Sequence, residues 1–150
     1  MIIISDASPI IALYEIDHLF LLKAVYDRIA ITSIVAREVE IALPDWVEIN
    51  DEYDDALYQS IRLQLDDGEA SAIALAKAKK QAILVIDERR GRMVAKDMQI
   101  EIIGLLGVIV KAKKMGVVTT GLPVLQALVD NGFRLSPKLI AVTRKYLEEE

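Results

Sequence analysis

The chain contains no cysteine in its 150 residues and a single histidine, His18. Disulfides and thiolate metal sites are thereby excluded. Any metal site must be built from oxygen donors, which suit Mg²⁺ or Mn²⁺ rather than zinc. Aromatic residues are also scarce, with one tryptophan, two phenylalanines and five tyrosines, mostly at core-like spacing. That is too few for an extended base-stacking platform. Apolar runs are short: Ile102 to Val110 cannot cross a bilayer. No basic segment precedes the first apolar run, so it does not read as a signal peptide. A cytoplasmic protein with no membrane partner is the expectation. Neither a G-x-G-x-x-G loop nor a P-loop lysine motif occurs.

What is present is a hydrophobic majority, 53% of residues, with 27% charged. This fits one compact domain over residues 1–150, large enough to bury a substantial core. The net charge of −5 hides an asymmetry: residues 1–76 hold 15 acids against 4 Lys/Arg, and residues 77–150 hold 14 Lys/Arg against 8 acids. Such halves, once folded together, set carboxylates beside a phosphate-attracting surface; exposed helices that merely differ in charge would read the same way.

The first strand organises the rest. Ile2, Ile3 and Ile4 are consecutive and β-branched, as in a central parallel strand covered on both faces, and Asp6 closes it. Ligands of open α/β sheets bind beyond such strand ends. Ser8 and Pro9 predict a helix from Pro9 to about Ile16 with Ser8 as its cap, which leaves Asp6 without that duty. After a second apolar helical piece over Leu19 to Tyr26, Arg28 to Thr32 reads as a strand and Ser33 to Ala42 as a helix capped by Ser33. Glu38 lies four residues after Ile34 and three before Ile41, on the inward edge of that helix.

Trp46 to Ile49 alternates like a short edge strand, and a helix is expected from about Tyr53 to Leu65. Asp66, Asp67 and Gly68 read as a loop, and Glu69 opens an alanine-rich helix to about Lys80, sharing its face with Ala72, Ile73 and Ala76. Ile83 to Ile86 is a second fully apolar strand, ending in Asp87 and Glu88. Arg89, Arg90 and Arg92 follow at the start of a helix to about Met98, suited to the phosphates of a polyanion. A fifth strand over Ile100 to Ile103 precedes a helix to Lys114 that Gly116 stops, and helices over Leu122 to Asn131 and Pro137 to Leu147 complete the chain.

Each acid has an ordinary explanation of its own: an Asx-turn for Asp6, a partly exposed helix edge for Glu38, a favourable helix dipole for Glu69. Together, Asp6, Glu38, Glu69 and Asp87 form a pattern. Two end buried strands, two lie on inward helix stripes, and adjacent pairing of the strands brings all four to one sheet edge. Four like charges there repel by several kcal/mol, on the order of Coulomb energies at partly buried sites, and call for divalent cations. Carboxylate-held Mg²⁺ or Mn²⁺ activates water and stabilises charge on a phosphodiester, so two-metal hydrolysis is the natural reaction class.

The ordered text D-A-S-P-I-I at Asp6, the Glu38 helix after the second strand, D-G-E-A-S-A-I-A-L-A at Glu69 and L-V-I-D-E-R-R-G-R-M-V-A at Asp87 resembles a PIN-domain protein of the VapC-like prokaryotic branch. The resemblance runs from Met1 to about Gly116 and is looser over the last helices. It implies an α/β fold, a Rossmann-like three-layer α/β/α sandwich with a central parallel sheet of about five strands. It also implies a ribonuclease that binds Mg²⁺ or Mn²⁺. Asp6, Glu69 and Asp87 would be the metal ligands, with Asp87 favoured over Glu88 because it directly ends the strand, and Glu38 would complete the acidic pocket. Ser8 matches a small polar residue that orients water or ligand. RNA as substrate, a small antitoxin protein and a homodimer are the implied partners. Glu69 departs from the aspartate common at that place, which lengthens the reach.

A catalytically inactive PIN-like nucleic-acid-binding module is the alternative that keeps the same fold. A haloacid-dehalogenase-type phosphatase would want an acid where Ser8 stands, and a receiver domain would want paired acids where Ser5 and Asp6 stand.

Overall fold

A computed structural model describes residues 1–149; Glu150 lies outside them. Its element order is β1 (Ile2–Ser5), α1 (Ala7–Glu15), α2 (Phe20–Tyr26), β2 (Ile29–Ile31), α3 (Ser33–Val39), β3 (Val47–Ile49), α4 (Asp55–Ile61), α5 (Asp67–Ala78), β4 (Ala82–Val85), α6 (Arg89–Asp97), β5 (Glu101–Ile103), α7 (Leu105–Lys114), α8 (Leu122–Asp130) and α9 (Pro137–Leu147). The five strands form one all-parallel sheet in the order β3-β2-β1-β4-β5. Helices cover both faces, giving the three-layer α/β/α arrangement. Consecutive burial of Ile3, Ile4 and Ser5, and of Ile83, Leu84 and Val85, is what a doubly covered sheet demands.

The strand order turns back on itself between β1 and β4. Ser5 pairs with Val85, and the Asp6 amide continues the ladder to the Val85 carbonyl at 3.0 Å. The carboxyl ends of both strands, and hence Asp6 and Asp87, therefore flank the switch point of the sheet.

The central helix is α5, buried from Gly68 through Ala76. Its alanines let α4, α3, α6 and the sheet approach closely. Two buried hydroxyls fix α3 against it. Ser71 donates to the Gly68 carbonyl (2.9 Å), so the proton shared with Thr32 Oγ1 (2.7 Å) comes from Thr32, whose oxygen in turn accepts from the Val35 amide. Both hydroxyl protons are used, and α3 is held with its C-terminal turn over the start of α5.

The helix starts differ from the sequence expectation. Ser8 does not cap α1: it lies exposed inside the first turn, and Asp6 occupies the cap position with no capping side-chain bond. Ser33 likewise sits inside α3, which Thr32 caps. Asp66 and Asp67 are not a loop, because Asp66 caps α5 and Asp67 is its first residue. In each case the hydroxyl or carboxylate nearest the strand or preceding turn wins, since a cap residue must still have extended backbone. The helix predicted to run to Leu65 ends at Ile61, and the one predicted to run to Ala42 ends at Val39. Among the described residues no helix is long and apolar enough to cross a membrane.

Candidate acidic site at the sheet switch point

Asp6 is only 4% exposed, although it is an acid just past a strand end. Burial pushes its carboxyl up to about 7; the Ala7 amide pulls it back, and the nearby charges of Asp66, Glu38 and Asp87 add to the rise. Glu69 is buried on the first turn of α5. Its carboxyl rises to about 8, first through burial, then through Asp66, Asp6 and Glu88. These acids thus share one local field, two of them set by the ends of β1 and β4 and two by the start of α5.

Asp87 sits one residue farther along the neighbouring strand end. Its Oδ1 accepts from the Leu105 amide at the start of α7 (3.0 Å), and its Oδ2 is buried without a partner. Burial raises its pKa, opposed by that amide and by the Arg92 guanidinium. Glu88, the adjacent acid, is an exposed residue at the cap position of α6. Glu38 is exposed rather than inward-facing, because α3 ends before its expected apolar stripe is complete. Its Oε1 turns back to accept from the Gly68 amide (3.1 Å), where burial and Asp66 raise its pKa.

Three of these carboxylates rest on glycines. A β-carbon on Gly68 would fall on Glu38 Oε2, one on Gly91 2.6 Å from Glu69 Oε2, and one on Gly104 2.8 Å from Asp87 Oδ1. The space a methyl group would fill is taken by an acid in every case. Sequence reasoning missed this role of the glycines. It also missed Asp66, which caps α5 by accepting from the Glu69 amide (2.8 Å) and is the charge that Asp6, Glu38 and Glu69 all feel. The D-x-x-E spacing of Asp66 and Glu69 was the available signal.

The arginines divide. Arg92 Nη1 donates to the Ile86 carbonyl at 2.7 Å, tying α6 to the end of β4. Arg89 and Arg90 are exposed. Ser8, two residues after Asp6, is exposed as well.

The donor chemistry fits a hard divalent cation. Glu69 Oε2 and Asp87 Oδ2 are both buried with no hydrogen-bond partner, and an ionised oxygen so placed needs a proton or a cation. Among the described residues, however, no three acidic or histidine side chains are gathered closely enough to hold one ion as they stand. Asp87 and Glu38 each direct one oxygen at a backbone amide instead.

A family model described as a PIN domain matches residues 2–149. No curated protein and no solved structure gave a significant match. A family match over that length settles the relationship that the switch-point acids suggest: the chain belongs to the PIN-domain family, whose fold is that of a nuclease.

Proposed function

We propose that the protein is a divalent-metal-dependent endoribonuclease in which Asp6, Glu69 and Asp87 hold Mg²⁺ or Mn²⁺ and Glu38 and Asp66 complete the acidic pocket. The observation that carries this reading is the burial of Asp6 and Glu69 together with the unpartnered buried oxygens Glu69 Oε2 and Asp87 Oδ2, and the raised carboxyls of Asp6 and Glu69 agree with it. Groups so perturbed in a strand-end cleft are functional-site candidates. A bound cation supplies an activated water and neutralises charge developing on the phosphodiester. The protein's own residues exchange protons for that cation, exclude bulk water from the Asp6 side, and meet the substrate phosphates with Arg89 and Arg90. Arg92, committed to Ile86, positions α6. Ser8 offers a hydroxyl at the rim. RNA as substrate, a small antitoxin and a homodimer accompany this reading through the VapC-like resemblance; one domain and a cytoplasmic setting accompany it from the length and composition of the chain.

The test is incubation of purified protein with mixed-sequence RNA and Mn²⁺ or Mg²⁺, beside Asp6→Asn and an EDTA control. Cleavage lost in both controls and leaving 5′-phosphate ends supports the reading. The backbone amides that hold one oxygen each of Asp87 and Glu38 favour a second reading, a PIN-like binding module without turnover. Intact RNA with a protein that still binds metal in calorimetry would select it.

A further inference from the structure

A groove of about 630 Å³ is lined by Asp87 and Arg92 and by residues of β5, α7 and α9. Lys114 and Arg134 line it too, both exposed, so the groove carries three cations; Asp87 is the only acid among its described lining residues. Its apolar wall includes Phe133 and an outward stripe of α9, with Leu139 48%, Val142 43% and Tyr146 65% exposed. These three recur at helical spacing, while Thr143 and Leu147 on the same helix are buried. The α9 helix adds Lys138, Arg144 and Lys145 and contains no acid. A smaller groove of about 290 Å³ is lined by Arg62 and Arg90 together with Asp66, Glu69 and Glu88.

We propose that the α7–α9 groove is the track of one arm of a single-stranded nucleic acid, with phosphates on Lys114 and Arg134 and a base stacked on Tyr146. This inference rests on the nuclease reading of the acidic site and names where its substrate lies. Spaced cations beside an exposed aromatic face are what a single strand needs, because phosphates and bases alternate along it. Continuity with Asp87 argues for substrate over an unrelated partner: whatever fills the groove abuts the reacting centre. The net basic lining favours a polyanion over a second copy of this acidic chain. The sequence holds too few aromatics for a long platform, but the fold brings two of them, Phe133 and Tyr146, into one groove.

The test uses full-length protein carrying Asp6→Asn, so that RNA stays intact, and follows binding of fluorescein-labelled single-stranded RNA by anisotropy across a salt series. Lys114→Glu with Arg134→Glu should weaken binding at least about tenfold and flatten the slope of log Kd against log salt by about 1.4, two phosphate contacts' worth. Tyr146→Ala should weaken it about five- to a hundredfold with little change of slope. Lys80→Glu, beyond the C-terminal end of α5 and away from the groove, should change neither. Groove variants that bind like the parent, or a Lys80→Glu loss of equal size, would overturn the track; metal-dependent cleavage by the wild type would then leave the nuclease reading intact. Groove-dependent binding without any cleavage by the wild type would keep the track and remove the nuclease. Unchanged RNA binding with a Tyr146→Ala shift in sedimentation would assign the groove to a second copy and overturn the proposal, as would no RNA binding at all.

Discussion

Gly91 lies so close to Glu69 that a β-carbon there would stand 2.6 Å from Glu69 Oε2 and 2.7 Å from Ile86 Cδ1. The first turn of α6 can approach the acidic site only because this residue has no side chain. Gly91→Ala therefore sets two effects against each other. Alanine gains about 0.5–1 kcal/mol of helix propensity over glycine. The new methyl group must displace the ends of two side chains, one of them on fully buried Ile86, and overpacking of that kind costs about 1–3 kcal/mol. Stability should therefore fall by no more than about 2 kcal/mol, while the displaced Glu69 carboxylate lowers metal-dependent cleavage on the order of tenfold, since each 1.4 kcal/mol is a factor of ten. Thermal unfolding and single-turnover cleavage measured together decide it. Wild-type activity in the Gly91→Ala variant would mean that Glu69 does not need its present position.

The pH dependence of metal-free stability follows from Asp6 and Glu69. Their folded-state carboxyls stand at about 7 and about 8, above the ordinary 3.8 and 4.5. A raised folded value means that the native state holds protons the unfolded chain has released. The associated stability is complete below about pH 4 and is lost as pH rises toward 8. For a largely buried group like Asp6 this amounts to a few kcal/mol, at about 1.4 kcal/mol for each tenfold gain in proton affinity on folding. In EDTA, the melting temperature should fall between pH 5 and 8 by the measure of this site, and Asp6→Asn should flatten the fall. Added Mg²⁺ or Mn²⁺ should stabilise most at the alkaline end, with proton release on binding. A melting temperature that rises over the same range in EDTA would contradict the burial of these acids.

The strand ends were legible because each central strand is a consecutive β-branched or leucine run that stops at an acid. Ile2 to Asp6 and Ile83 to Asp87 state both the burial and its limit. Helix starts were harder to read. Asp6, Ser8, Thr32, Ser33, Asp66 and Asp67 are all competent caps, and only the path of the backbone leaving the preceding strand or turn selects among them. Residue spacing sets Glu38 inward on a stripe ending at Ala42, but the helix stops at Val39 and the carboxylate finds the Gly68 amide instead. The glycine beneath each of Glu38, Glu69 and Asp87 is a tertiary relationship: Gly104 touches Asp87 only because α7 begins beside the end of β4. No local pattern could have carried that.

Asp66 has two separable duties, capping α5 and charging the site. Asp66→Ala should lose about 1 kcal/mol, the usual value of an N-cap. Asp66→Asn keeps an acceptor for the Glu69 amide, so its stability should change by less than half as much. Both variants remove the negative charge beside Glu69, so in both its carboxyl should titrate at lower pH, read by carbon-13 chemical shifts of labelled glutamate. Metal affinity lost in Asp66→Asn with the cap retained would place Asp66 among the ligands themselves. A Glu69 titration unmoved by either variant would show that burial alone sets it.

Arg92 is expected to separate from its two neighbours. It donates to the carbonyl of fully buried Ile86 and holds down the pKa of Asp87, whereas Arg89 and Arg90 are exposed. Arg92→Ala leaves that carbonyl without its partner, a loss of about 1–3 kcal/mol for a buried polar group. It also removes the cation that favours ionised Asp87, so the rise of cleavage rate with pH should move to higher pH. Arg89→Ala and Arg90→Ala should change stability by no more than about 0.5 kcal/mol, as surface substitutions do, and weaken RNA binding instead. Denaturant unfolding and pH–rate profiles of the three variants make the comparison. If Arg92→Ala unfolds and titrates like Arg89→Ala, the tie between α6 and β4 contributes nothing to the site.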